Sequence, residues 1–83
     1  MSYQLQYTAS AQKDIKKLDG VAKKRLKSKL ELLVTDPIYY GKKLVHSDLG
    51  TYRFRVGDYR IIFDLHGKDI VILRVGHRRE IYR

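Results

Sequence analysis

The sequence has no cysteine, so neither a disulfide framework nor a thiolate metal site can hold the chain together, and stability must come from packing. Long apolar runs are missing too. No stretch approaches the roughly 20 residues of a membrane-spanning helix, and the start, MSYQLQYTAS, lacks the basic segment and apolar core of a secretory signal. These absences predict a cytoplasmic protein with no membrane partner. The three histidines, His46, His66 and His77, are scattered without ligand spacing, and no metal or other cofactor is expected. Nothing repeats internally, and no segment is linker-like or of low complexity. Acidic residues are scarce: nine against 18 Lys and Arg, a formal charge of +9. A chain that repels itself this strongly is expected to meet something acidic, either nucleic acid or an acidic protein. Its 83 residues make one domain, 1–83, with room for a single small core.

What is present reads as an α+β pattern. Tyr3, Leu5 and Tyr7 alternate with Gln4 and Gln6, the period of a half-buried strand. After Thr8, a suitable N-cap, Ala11, Ile15 and Leu18 recur at helical spacing until Asp19-Gly20 breaks the run. A second helix carries Ala22, Leu26, Leu30 and Leu33 as its apolar stripe and five basic residues between Lys23 and Lys29, ending at Asp36-Pro37. Residues 38–50 show little periodicity and read as a loop holding Tyr39, Tyr40 and the basic pair Lys42-Lys43. Three strands follow in close order, at 52–56, 59–65 and 70–75, joined by Gly57-Asp58 and by a turn at 66–69. The expected order is β-α-α-β-β-β: an N-terminal strand, a two-helix hairpin, then three antiparallel strands, with the helices on one face of the sheet.

If Gly57-Asp58 is the whole first turn, Val56 faces Tyr59, Arg55 faces Arg60, Phe54 faces Ile61 and Tyr52 faces Phe63. One side of the sheet is then apolar, and Arg53, Arg55 and Arg60 emerge on the other. Like charges opposite each other on neighbouring strands are destabilising by something on the order of 0.2–1 kcal/mol. An anion between two guanidinium forks converts that repulsion into bidentate binding. The bland alternative is that such arginines only keep a sheet soluble and its edges unpaired. Three on one face, with a basic tail after Gly76, favour the anion site. Arg25 apart, every arginine of the chain lies in residues 51–83.

The tail brings His77, Arg78, Arg79, Glu80, Tyr82 and Arg83 close together in sequence. If the anion is an RNA phosphodiester, cleavage needs a base for the 2′-hydroxyl proton, cations for the pentacovalent phosphorane, and a proton for the leaving 5′-oxygen. Arginine serves the second role and, protonated at every ordinary pH, not the first. Tyr82 and His77 are the two candidates for moving the proton. Glu80 and Asp58 are better placed to hold arginines. The parity of the second hairpin, and so the direction of Arg78 and Arg79, does not follow from alternation.

The strand Tyr52-Arg53-Phe54-Arg55, the hairpin Gly57-Asp58-Tyr59-Arg60 and the ending from Val75 to Tyr82, in the expected element order, resemble the RelE/ParE superfamily of bacterial and archaeal toxins across essentially the whole chain. The resemblance implies a RelE-like fold and a toxin of a toxin–antitoxin pair. It implies an mRNA interferase that acts on the ribosome, leaving a 2′,3′-cyclic phosphate without metal. It also implies catalytic roles for Arg60 (phosphorane), Arg78 (leaving group) and Tyr82 (base), with His77 the other proton carrier. Arg53, Arg55, Arg79, Lys42 and Lys43 would hold RNA phosphates. Arg53 and Arg55 stand where the best-studied branch has lysines, so here neither can act as the base. Implied partners are a cognate, acidic antitoxin, the ribosome and mRNA. Two other readings share the fold: a ParE-type toxin that inhibits DNA gyrase without a nuclease site, and a basic module that binds ribosomal RNA without cutting it.

Overall fold

A computed structural model describes residues 3–43 and 52–77. The order is β1 (Gln4–Tyr7), α1 (Ala9–Lys16), α2 (Gly20–Thr35), α3 (Pro37–Tyr40), β2 (Lys42–Lys43), β3 (Tyr52–Val56), β4 (Tyr59–His66) and β5 (Asp69–His77). The strands form one mixed sheet in the order β1-β5-β4-β3-β2. The expected α+β architecture holds, with β3, β4 and β5 antiparallel and β1 added parallel to β5. The expected loop at 38–50 is corrected: it begins with α3 and β2, and residues 44–50 lie outside the described ones.

Local chemistry sets the helix ends. The Thr8 hydroxyl accepts from the Ala11 amide at 3.0 Å and opens α1. The Asp19 carboxylate accepts from the Ala22 amide at 2.8 Å and opens α2. Asp36 closes α2 and then caps α3 by accepting from the Tyr39 amide at 3.1 Å, with Pro37 in the first helical turn, where its missing N–H costs nothing. Leu26, Leu30 and Leu33 of α2 and Ala11 of α1 pack on Phe54, Val56, Ile61, Phe63, Ile70, Ile72 and Val75 of the sheet. Each large side chain fully buried there contributes about 1.5–3 kcal/mol relative to exposure.

The first hairpin has the expected register at every pair: Val56–Tyr59, Arg55–Arg60, Phe54–Ile61 and Tyr52–Phe63. Gly57 holds φ at 60°, the left-handed value that the first position of a primed two-residue turn requires. In the second hairpin the pairing slips by one residue between Ile62 and Phe63, leaving Leu73 as the extra residue of a β-bulge. The core residues of β5 are therefore Ile72 and then Val75, three apart, and the strand changes parity.

A bulge frees backbone groups that the ladder would satisfy, and α1 supplies their partners. The Thr8 hydroxyl donates to the Leu73 carbonyl at 2.9 Å. Asp14, 10% exposed, accepts at one oxygen from the Val75 amide at 2.9 Å and from Arg74 Nε at 2.8 Å. Burial pushes the Asp14 carboxyl up, but the hydrogen bonds from Arg74 and Val75 and the charges of Arg74 and Lys17 outweigh it and hold its pKa below the usual carboxylate value. A carboxylate with a depressed folded pKa stabilises above its unfolded pKa, about 3.9, and loses that contribution as pH falls through the folded value. Asp14→Ala is expected to cost about 1–3 kcal/mol at pH 7, the scale for stranding a partly buried amide. Urea unfolding at pH 7 and at successively lower pH should show the gap to wild type narrowing below about pH 4. A gap independent of pH would assign the loss to packing alone.

Candidate active site

In β3, alternation puts Phe54 and Val56 toward the helices, so Arg53 and Arg55 take the other face. Arg60 lies across from Arg55, and Lys42 of β2 lies across from Arg53. Two like-charged cross-strand pairs thus sit side by side. On its far side Arg60 faces Gly76, which contributes no side chain. The parity change at the bulge is what puts a glycine at that position. Among the described residues, Tyr40, Lys42, Arg53, Phe54, Arg55 and Arg60 line a cleft of about 210 Å³, with no acidic residue between them.

Arg60 differs from its neighbours. Arg55 is exposed and Arg53 half-buried, but Arg60 is only 6% exposed, and it is the buried charged residue of the described chain. Its Nε is enclosed and has no hydrogen-bond partner. Among the described residues, Asp14–Arg74 is the ion pair formed by an arginine, and no carboxylate answers Arg60. A buried arginine whose Nε is enclosed without a partner destabilises the fold around it. An oxyanion entering the cleft would relieve that cost, and Arg55, Arg53 and Lys42 would add to the attraction.

Residues 5–82 match the family described as the ParE toxin of type II toxin–antitoxin systems, parDE. Toxin RelG of Mycobacterium tuberculosis is 34% identical over 89 residues, spanning 100% of this chain and 99% of RelG. Toxin RelE3 of Methanocaldococcus jannaschii is 35% identical over 74 residues, 84% of each chain. The toxin–antitoxin complex RelBE2 of M. tuberculosis contains a chain that superposes with a TM-score of 0.78 at 31% identity, covering 94% of this chain and 100% of that one. The chain belongs to the RelE/ParE superfamily of type II toxins. Because the family carries the ParE name and the relatives the Rel name, the target of this toxin has to be argued from its site.

Of the residues expected to act in this toxin, Arg53, Arg55, Arg60 and Lys42 come together in the cleft. Lys43 does not, because it lies opposite Tyr52 and takes the other parity. His77 does not line that cleft either. It pairs with Tyr59 on the helix side, with the two rings 5.9 Å apart and edge-on, and lines a second hollow of about 320 Å³ with Asp14, Leu18, Tyr59 and Arg74. Arg78, Arg79 and Tyr82 lie outside the described residues. Tyr40 is the cleft residue that sequence reasoning left in a loop; the signal that could have found it was Asp36-Pro37, which starts a helix as well as stopping one.

Proposed function

We propose that this toxin is a ribosome-dependent mRNA endoribonuclease that stops translation by cutting the message through 2′-hydroxyl attack. The observation that carries the reading is Arg60, buried with its Nε enclosed and without a hydrogen-bond partner, in a cleft with three further cations. A buried cation among three others favours an occupant that brings concentrated negative charge, and a phosphodiester does so with oxygens that match guanidinium forks. In the proposed reaction the 2′-oxygen bonds to phosphorus and the bond to the 5′-oxygen breaks, leaving a 2′,3′-cyclic phosphate and a 5′-hydroxyl. Arg60 stabilises the equatorial oxygens of the phosphorane, and Arg53, Arg55 and Lys42 hold the scissile and flanking phosphates. Arg78 donates a hydrogen bond to the leaving 5′-oxygen, which takes its proton from water, and Arg79 contacts a phosphate further along the strand. Tyr82 takes the 2′-hydroxyl proton. The position of His77 on the helix side of the sheet supports Tyr82 over His77 for that step.

The partners follow the same chemistry. Several similar solved structures are Rel toxin–antitoxin complexes, and a chain of charge +9 suits an acidic antitoxin that covers the cleft. The second reading, a gyrase inhibitor, is supported by the ParE name of the matching family.

The deciding experiment adds purified toxin to a translating extract, maps message ends by primer extension, and assays gyrase supercoiling in parallel. Codon-dependent cuts are expected. Blocked supercoiling with intact message would establish the gyrase reading instead. In single-turnover cleavage on programmed ribosomes, Tyr82→Phe is expected to slow the reaction by about 10²-fold, within the range for a positioned acid or base. His77→Gln should stay within a few-fold of wild type, and the reverse order would reassign the proton carrier.

A further inference from the structure

Beside the cleft stands an aromatic feature that the phosphate chemistry does not use. Tyr39 is 76% exposed, and Tyr40, its neighbour on α3, lines the cleft wall. The two rings meet edge to face, with centroids 4.9 Å apart at 88°, and Tyr40 in turn meets Phe54 at 6.5 Å and 66°. The short helix beneath them is firmly seated. Pro37 is fully buried, Asp36 caps the Tyr39 amide, and the Gly41 amide donates to the Pro37 carbonyl at 2.9 Å. Gly41 lies so close to the core that a Cβ there would come within 2.6 Å of Phe63 Cζ. Tyr39 is therefore held out in solvent by a rigid support, one ring away from four cations.

A cationic groove that tracks a backbone, with an exposed aromatic at its edge, is the arrangement by which proteins hold single-stranded nucleic acid. We propose that Tyr39 is the base-stacking platform of this cleft: a nucleobase next to the phosphate held by Arg60 stacks on the Tyr39 ring, and Tyr40 fixes that ring's angle. The inference rests on the nuclease reading and extends it, because it gives the toxin a contact with the base as well as with the phosphate. Stacking accepts any base and favours purines, with their larger faces. Tyr39 is a positioning residue and takes no part in bond making. The occupant is single-stranded RNA: the surface beside Tyr39 is cationic, and among the described residues no carboxylate pairs with Arg60, which suits a phosphate backbone whose bases reach an exposed ring.

The test uses ribosomes programmed with a message carrying 2-aminopurine beside the scissile phosphate and a 2′-O-methyl group that blocks the cut, together with the unmodified message for cleavage. Wild-type toxin should quench the aminopurine, and Tyr39→Phe should quench it equally. Tyr39→Leu, which keeps an apolar surface but has no ring to stack, should lose the quench and weaken productive binding at least five-fold, seen in KM more than in kcat. Loss of one base–aromatic stack is worth about that much or more. Arg60→Met should slow cleavage and leave the quench in place at saturating toxin. Quenching and cleavage unchanged in Tyr39→Leu would overturn the proposal. So would a defect in Tyr39→Leu confined to antitoxin binding, which would make the surface a protein contact. Wild-type cleavage without quenching overturns the platform alone, whereas absence of both cleavage and quenching overturns the nuclease reading and the platform with it.

Discussion

Arg60→Met is expected to lower cleavage of ribosome-bound message by about 10²-fold or more, the scale for losing one preorganised donor to a developing oxyanion. The same substitution is expected to make the folded protein more stable. Arg60 is enclosed, its Nε has no partner, and Arg55 faces it across the ladder. Methionine fills a similar elongated volume with an adaptable apolar chain. It removes both the desolvated charge and the cross-strand repulsion, a gain on the order of 1–3 kcal/mol. For a domain of this size each kilocalorie moves Tm by about 4–8 °C. Arg60→Lys separates the two effects: it keeps the charge, so stability should not rise, and it loses the planar fork, so cleavage should still fall. Inorganic phosphate should raise the Tm of wild type, because it binds only the folded cleft, and should have less effect on Arg60→Met. Thermal unfolding with and without phosphate, beside single-turnover cleavage, checks all of this. If Arg60→Met loses stability and still cuts, Arg60 is a structural residue and the site lies elsewhere.

The cleft arginines were legible in the sequence because a two-residue turn beginning with glycine leaves no freedom in register. Once Gly57-Asp58 is taken as the turn, the places of Arg53, Arg55 and Arg60 follow by counting. The start of α1 was legible for a similar reason, since Thr8 caps within three residues of itself; Asp19-Gly20 reads as a break, and Asp19 turns out also to cap α2. The direction of the end of β5 was not legible. Its parity depends on a bulge at Leu73 whose freed groups are satisfied by Thr8 and Asp14, more than 60 positions away in sequence. No local pattern announces such a bulge, and it decides that Gly76 faces Arg60 while His77 faces the helices. Tyr40 was hidden for another reason: a helix of four residues and a strand of two are too short to show a period. Lys42 and Lys43 are a pair in sequence only, because a strand separates neighbours to opposite faces.

Gly41→Ala is expected to lower stability by about 2–3 kcal/mol and to slow cleavage beyond what the stability loss explains. An added Cβ would lie 2.6 Å from Phe63 Cζ and 2.8 Å from the Pro37 carbonyl oxygen. Neither neighbour can easily yield. Phe63 is fully buried and stacked on Tyr52, with centroids 5.3 Å apart and planes at 13°, and Pro37 is fully buried at the first turn of α3. Overpacking of this kind ordinarily costs about 1–3 kcal/mol, and two immobile neighbours put it at the upper end. Relief must then come from the segment carrying the new methyl group, which moves outward together with Tyr40 on one side and Lys42 on the other. Both line the cleft, so a core clash becomes a displaced cleft wall. Phe63→Leu removes the ring edge that meets the methyl group. By itself it should cost about 1–2 kcal/mol as a buried aromatic exchanged for a smaller side chain. Combined with Gly41→Ala it should cost clearly less than the two penalties added together, and cleavage should partly recover. Urea unfolding of the four proteins of this cycle, with cleavage measured well below the temperature at which any of them unfolds, gives the coupling. If the penalties simply add, the Phe63 contact is not what makes residue 41 a glycine, and the Pro37 carbonyl remains as the atom that excludes a side chain there.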